Sequence, residues 1–234
     1  MILLIITIVG PLFIWLRGDI NFKSDYRTAN RQSANLAPNP LTTKEAVIQV
    51  YAARAFNWRG LLATHCWIAT KLANENEYSV YQVVGWLQYR NLPVVSIQKD
   101  LPDRNWFDQA PKVILDIRGS KAQELIAQIN QAANSYPYNN QYTIWPGPNS
   151  NSFIAHIGRE VPDLGFVMPS NAIGKDFISK NKFFSRAVSN TGYQISLFGL
   201  LGITIAKKEG IEINLLGLVY GIKFAPFKIL LPGF

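Results

Sequence analysis

The sequence predicts an α+β domain with an antiparallel sheet, two main helices and a C-terminal β-hairpin. Four runs rich in β-branched and aromatic residues are typical of strands and lie at 46–54, 61–70, 79–86 and 111–117. Apolar residues recur at helical spacing in two later stretches. Since 48% of the 234 residues are hydrophobic, the chain has enough apolar surface to bury one core.

The N-terminal segment 1–16 carries no charge and is typical of a membrane-inserting segment, although Gly10-Pro11 interrupts it. Sixteen residues fall short of the about 20 that a full span needs, but Trp15 and Arg17 suit the membrane interface. We therefore expect an uncleaved N-terminal membrane anchor at 1–17. A signal peptide and a buried core helix stay open, although no basic residue precedes the run and no small-x-small cleavage site follows it.

Residues 18–43 are polar and include Pro38 and Pro40, which indicates a tether or an extended arm over the domain. The folded part is expected to begin near Lys44 and to continue as a single α+β domain over 44–234. Its first strand, 46–54, also fits a helix, but the β-branched content favours a strand.

Two helices are predicted in the middle of the domain. Ser120 and Gln123 have the spacing of a capping box, so a helix is expected over 120–134. A second helix is expected over 150–160, ended by Pro162. A short strand at 142–145 is expected between the two helices.

The end of the chain contains two apolar, glycine-rich segments, 193–206 and 211–223, on either side of a polar turn at 207–210. This pattern predicts a long β-hairpin.

Charge and cysteine content exclude several classes of function. The net charge is +8, but each part of the chain carries +4: 13 basic and 9 acidic residues in 1–119, and 10 and 6 in 120–234. Because no nucleic-acid-binding motif accompanies this even surface charge, we expect no nucleic-acid partner. One cysteine and two histidines predict no disulfide framework, no metal site and no cofactor. The nearby carboxylates Asp100 and Asp103 are expected to be solvated.

The start of the second helix is the first candidate site. Asn149, Ser150 and Asn151 place small polar side chains where unpaired N–H groups and partial positive charge stabilise an oxyanion or activate a nucleophile. The same residue types are favoured helix caps, and this structural alternative stays open.

His65 is the second candidate. Alternation along its strand sends His65 and Cys66 to opposite faces of the sheet, which excludes a Cys–His pair. Gln82, on the next strand, is placed to orient the His65 ring, or else to face solvent. A structural, hydrogen-bonded His65 is an equally open interpretation. His156 lies about 240° around the helix from Ser150 and is expected to be a surface or packing residue.

Aromatic residues offer a third set of candidates. Trp67, Trp86, Trp145 and Tyr138 are expected either to line a ligand groove or to belong to the core.

Seven stretches resemble the domain-of-unknown-function family 3750, a family of uncharacterised bacterial envelope proteins. They are 29–38 (ANRQSANLAP), 58–60 (WRG), 65–71 (HCWIATK), 81–86 (YQVVGW), 136–138 (YPY), 145–151 (WPGPNSN) and 172–176 (AIGKD). Together they span most of the chain, but the resemblance brings no established activity.

A more distant resemblance concerns the order of a histidine strand, a polar strand and a nucleophile at a helix start. This order resembles the circularly permuted NlpC-type, papain-like hydrolases, in which the helix begins with Asn-Cys. The resemblance implies a papain-like core, with Ser150 as nucleophile, His65 as general base and Gln82 as orienting group. Asn149 and Asn151 would lie near the oxyanion.

Serine in place of cysteine changes the chemistry that this resemblance implies. A hydroxyl does not ionise near neutral pH, so His65 would have to remove the Ser150 proton during attack. The replacement is equally typical of a site that has lost its reaction.

The functional hypothesis is therefore an envelope hydrolase or acyl transferase acting on an amide or ester of cell-wall, lipid or lipoprotein material. The alternative is a non-catalytic binding or scaffolding protein that retains the cleft. The expected location is the bacterial inner membrane, with membrane lipid as partner of the N-terminal segment. The envelope resemblance favours a periplasmic domain, whereas Arg17, Lys23, Arg27 and Arg31 favour a cytoplasmic one.

Overall fold

The computed structural model describes residues 2–179 and 182–234, and within them the chain forms three α-helices and two antiparallel sheets. The predicted α+β class is thereby confirmed. The helices are α1 (Ile2–Leu16), α2 (Ser120–Asn134) and α3 (Ser150–Glu160). The first sheet contains β1 (Val47–Arg54), β2 (Thr64–Lys71), β3 (Ser79–Val83), β4 (Val95–Lys99) and β5 (Lys112–Arg118). The second contains β6 (Phe184–Arg186), β7 (Gly192–Leu197), β8 (Leu201–Ala206), β9 (Gly210–Leu215), β10 (Leu218–Phe224) and β11 (Phe227–Leu230).

The first sheet has the strand order β4-β3-β2-β1-β5 and is covered on both faces. One face carries Ile48, Val50, Cys66 and Ile68, which pack with the apolar sides of α2 and α3 in the main core. Burial of this face explains why both helices carry apolar residues at helical spacing.

The opposite face of the first sheet forms a smaller core. Tyr51, Ala53, Trp67 and Ala69 are buried there, and Trp106 from the loop before β5 packs against them. Because β1 and β2 are buried on both sides, their sequences read as continuous apolar runs rather than as alternating ones.

The second sheet has the order β11-β10-β9-β8-β7-β6. The predicted hairpin around the turn at 207–210 is present as β8 and β9, but each of its predicted long arms is divided into two strands. Segment 193–206 bends after Leu197, where Phe198 and Gly199 adopt positive φ. Segment 211–223 bends likewise at Leu216 and Gly217, both with positive φ. Such turns usually contain Asn or Asp before the glycine, and an apolar residue there gives no turn signal in the sequence.

The second sheet attaches to the rest of the molecule through polar side chains. Lys175 and Glu212 form an ion pair that is almost completely buried. Asn214 donates to Asp176 over 3.0 Å, and Arg159 donates to the Gln194 side chain over 2.7 Å. Burying charges is costly unless they are paired and hydrogen-bonded, so this network fixes one register of the sheet against the body.

Helix α1 occupies the segment that was expected to span a membrane. It has 15 residues and contains Pro11. Among the described residues, no helix combines the length and apolarity needed to cross a membrane, so the predicted span is not found.

Two local expectations about the helices and strands were also wrong. The N-cap of α2 is Gly119 rather than Ser120, and no side chain caps it, because the Gln123 amide oxygen accepts from Ala73 N instead. No strand forms at 142–145, where the chain bends before Pro146. Both α2 and α3 nevertheless have the predicted bounds.

Candidate binding cleft and the predicted serine–histidine site

A cleft forms where an N-terminal arm, residues 30–37, is fastened to the loop before β5 by one buried carboxylate. Asp103 is only 1% exposed. Its Oδ1 accepts from Ser33 Oγ over 2.7 Å, and its Oδ2 accepts the amides of Leu36 and Ala37 over 2.6 and 3.0 Å. Charge-assisted hydrogen bonds of this kind are stronger than neutral ones, so Asp103 holds arm and loop together.

This fastening positions Trp106, three residues further along the loop, against the sheet. The Trp106 ring stacks on His65 with 3.6 Å between ring centroids and an interplanar angle of 12°. His65 also stacks on Trp67, with centroids 5.6 Å apart. The imidazole therefore contacts two indoles, whose own centroids are 6.3 Å apart, on the face of the sheet that is opposite to the helices.

Burial determines the protonation state of His65. His65 is only 6% exposed. Desolvation lowers the pKa of the imidazole to about 3, and a side-chain hydrogen bond with Gln82 offsets only part of that effect. The Nε2 atom has no hydrogen-bond partner within the described part of the chain. His65 is thus a neutral, weakly basic ring at physiological pH.

The cleft opens beside Trp106 and has a volume of about 360 Å³, which is within the usual range for small-molecule sites. Its aromatic wall consists of Trp67, Trp86, Trp106 and Phe107. Its polar floor is made of amide and hydroxyl side chains from β3 and β4, namely Gln82, Ser96 and Gln98.

The charged groups at the cleft already have partners within the protein. Arg104 forms an ion pair with Asp100 and donates to the Arg31 carbonyl over 3.3 Å. The Arg31 guanidinium lies 4.3 Å from the centre of the Phe107 ring. These contacts leave the cleft lined mainly by aromatic surface and neutral hydrogen-bonding groups.

The start of α3 is built around Asn149 as a cap. The Asn149 side chain accepts from the amides of Asn151 and Ser152 over 3.0 and 3.2 Å, and Ser152 Oγ accepts from the Asn149 amide over 2.7 Å. This reciprocal pattern is a capping box, with Asn149 as its cap residue. Ser150 is the first residue of the helix and is 8% exposed.

Asn151 fixes the beginning of α3 to β2. Its Oδ1 accepts the Cys66 amide over 3.1 Å, and its Nδ2 donates to the carbonyls of Thr64 and Ile173, each over 2.8 Å. Asn151 therefore bonds to the backbone on both sides of His65.

The predicted catalytic residues fall into two groups. His65 and Gln82 contact each other on the cleft face of the sheet. Ser150 belongs to α3, whose side chains pack on the opposite face together with Cys66. No hydrogen bond joins Ser150 Oγ to the His65 ring in the described residues.

The predicted substrate-binding residues are also divided. Trp67 and Trp86 line the cleft. Tyr138 is buried in the main core against Tyr136 and Phe177, and Trp145 donates its Nε1 hydrogen to the Leu216 carbonyl of the second sheet over 2.9 Å. Tyr138 and Trp145 therefore do not share a groove with Trp67.

Sequence reasoning missed the loop that completes the cleft. Trp106 and Phe107 are adjacent aromatic residues in an otherwise polar segment. An aromatic pair without strand or helix periodicity is the signal that would have drawn attention to them, since polar loops rarely need two large rings.

His156 packs between the helices and plays no part in the cleft. Its Nε2 lies 3.1 Å from the Ala132 carbonyl and 3.2 Å from Ser135 Oγ at the end of α2. Burial lowers the pKa of His156 as well.

Comparison with known proteins shows the family of the chain. The model of a family described as "protein of unknown function (DUF3750)" matches residues 45–177, which is more than half of the chain. A search of curated proteins found no match, and a search of solved structures found none.

The pH dependence of the unfolding free energy, compared between the wild type and a His65 variant, tests whether His65 is neutral in the folded protein. An unfolded histidine binds a proton below about pH 6.5, whereas the folded His65 stays neutral down to about pH 3. Its contribution is therefore complete above pH 6.5 and decreases as the pH falls, by up to about 1.4 kcal/mol per pH unit. Urea unfolding between pH 7 and 4.5 should show a shallower loss of stability in His65→Gln than in the wild type.

His156 serves as the internal control, since it titrates in both proteins and cancels in their difference. A wild-type-minus-variant difference in unfolding free energy that stays constant over this range would contradict the buried, neutral His65.

Proposed function

The chain belongs to the family of proteins of unknown function DUF3750, and we propose that it is a non-catalytic binding protein whose cleft takes a neutral saccharide. The observation that carries this proposal is the pairing of an aromatic wall with a floor of neutral amides. The wall is formed by Trp67, Trp86 and Trp106, and the floor by Gln82 and Gln98.

The aromatic wall is complementary to the C–H face of a sugar ring, and the amide floor is complementary to the hydroxyl groups at its edge. The C–H groups of a pyranose ring carry partial positive charge and pack on the electron-rich faces of indoles. The hydroxyl groups at the ring edge both donate and accept hydrogen bonds, and so do the amides of Gln82 and Gln98. A narrow site with apolar walls and a few placed polar groups is the usual form of a small-molecule site.

The pairing of the charged groups favours a neutral ligand over an anion. Arg104 is neutralised by Asp100, and Arg31 lies over the Phe107 ring. A phosphate or carboxylate would have to compete with these contacts, whereas a sugar leaves them in place. A cell-wall glycan is the neutral saccharide that the expected envelope location would supply.

The state of His65 supports binding rather than acid–base chemistry. A general base works best with a pKa near the operating pH, and burial lowers the pKa of His65 to about 3. Stacked under Trp106, the ring instead supplies a flat support for the aromatic wall.

Two tryptophans of similar exposure allow a matched test. Trp86 is 50% exposed and lines the cleft, whereas Trp58 is 57% exposed and does not line it. Calorimetric titration with chitotetraose should show saturable binding that Trp86→Ala weakens about tenfold, corresponding to about 1.4 kcal/mol. Trp58→Ala should bind like the wild type. Absence of binding, or equal losses in the two variants, would refute the saccharide proposal.

A second candidate is a hydrolase or acyl transferase with a papain-like core and a Ser150–His65–Gln82 site. Three observations favour it: Gln82 contacts the His65 ring, Nε2 of that ring lacks a partner among the described residues, and Asn151 fixes the start of α3 to the backbone beside His65. In this mechanism His65 would accept the Ser150 proton as Oγ attacks the substrate carbonyl. Ligand-induced movement of α3 or of Trp106 would have to bring the two side chains together.

A fluorophosphonate probe separates this candidate from the binding proposal. Ser120 is the matched control, since it is the first residue of α2 as Ser150 is of α3. A catalytic site predicts labelling of the wild type and of Ser120→Ala, and loss of labelling in Ser150→Ala and His65→Gln. The binding proposal predicts no labelling of any of them. Labelling that persists in Ser150→Ala would exclude Ser150 as the nucleophile.

A further inference from the structure

The outer face of the second sheet carries a wide exposed apolar patch. One row of cross-strand neighbours is large, apolar and exposed on five of the six strands: Tyr193, Ile205, Ile211, Ile222 and Ile229. On the sixth strand, β6, the row ends in Arg186, whose guanidinium lies over the Tyr193 ring. A second row is formed by Phe184, Ile195, Ile203 and Ile213. Contiguous exposed apolar patches of this kind mark interaction sites.

The inner face of the same sheet shows that this exposure is built into the fold. Five of its buried side chains are polar, namely Gln194, Ser196, Thr204, Glu212 and Asn214, and the apolar residues buried beside them are Ala206, Val219 and Leu230. A shift of one residue would bury the isoleucines instead, but the ion pair of Glu212 with Lys175 holds the polar face inward. The buried polar contacts of the inner face therefore hold the apolar face of the sheet toward solvent.

Helix α1 extends this surface. Thr7 Oγ1 lies 2.6 Å from the Tyr220 hydroxyl of β10, and the ring of Phe13 is 5.5 Å from that of Phe234. From residue 5 onward, six further apolar side chains of the helix are exposed, namely Ile5, Ile8, Val9, Leu12, Trp15 and Leu16. No charged residue lies in α1, so the helix adds apolar surface without adding charge.

In the second sheet the acidic side chains are buried and the basic side chains reach solvent. Residues 182–230 contain two acidic side chains, Glu209 and Glu212, and both are buried. The basic side chains of the same segment are exposed or half-buried: Lys182, Arg186, Lys207, Lys208, Lys223 and Lys228. The charge that this part of the molecule presents to solvent is therefore entirely positive.

We propose that α1 and the outer face of the second sheet form one docking surface for an anionic lipid bilayer. The apolar residues would enter the interface between headgroups and acyl chains, and the basic residues would contact the phosphates. A second copy of the chain is the less favourable occupant, because face-to-face contact would bring two sets of basic residues together. This docking would leave the cleft, on the first sheet, free for its ligand.

A fluorophore at two matched positions tests the proposal in the full chain. Ile205 is 58% exposed on the outer face, and Tyr89 is 88% exposed beside the first sheet. Each is replaced by cysteine and labelled with the polarity-sensitive fluorophore NBD, since the native Cys66 is fully buried and protected from the label. The readouts are NBD emission, quenching by brominated lipid, and flotation with vesicles.

With phosphatidylglycerol vesicles we expect a blue shift and brominated-lipid quenching for Ile205→Cys, and neither for Tyr89→Cys. Partition into phosphatidylcholine vesicles should be about tenfold weaker. Flotation with a water-like emission at position 205 would show that α1 alone binds lipid and would overturn the proposal. A blue shift at 205 without vesicles would assign the face to a second copy and also overturn it. Equal partition into both lipids would refute the role of the basic residues.

Discussion

The buried carboxylate of Asp103 is the contact on which the cleft depends. It gathers one hydroxyl and two amides of the N-terminal arm, and Trp106 follows it by three residues. Without that fastening, neither the stack of Trp106 on His65 nor the wall beside it would be held in place. A single acidic residue thus converts a polar loop and a distant arm into a preorganised site, which reduces the cost of ordering the protein when a ligand binds.

Sequence patterns correctly predicted those elements that depend on interactions between residues close together in the chain. Helix α3 begins at Ser150 as predicted, because capping residues and helical spacing act within a few residues of each other. Asp103 was expected to be solvated and is buried, since its partners lie 66 to 70 residues away in the chain and no local pattern reveals them. The turn at Leu216-Gly217 was missed because it lacks the usual polar residue.

The candidate site was predictable only in pieces. Strand alternation correctly sent His65 and Cys66 to opposite faces of the sheet. It left two positions open for Gln82, whose side chain hydrogen-bonds with the His65 ring in the structure. The same alternation does not indicate which face of the sheet α3 covers, and α3 packs on the face of Cys66 rather than on that of His65. The face that α3 covers is decided by the packing of whole helices against the sheet, which depends on the summed burial of many side chains.

The proposed sugar binding depends on Asp103, because this carboxylate holds together the arm and the loop beside the tryptophans of the cleft. The most direct measurement follows the indole N–H resonances by NMR while chitotetraose is added to the wild type and to Asp103→Asn. The account predicts saturable shifts for Trp86 and Trp106 in the wild type, none for Trp58, and loss of the shifts in Asp103→Asn while the amide resonances of the main core stay dispersed. Identical shifts in the wild type and in Asp103→Asn would contradict it.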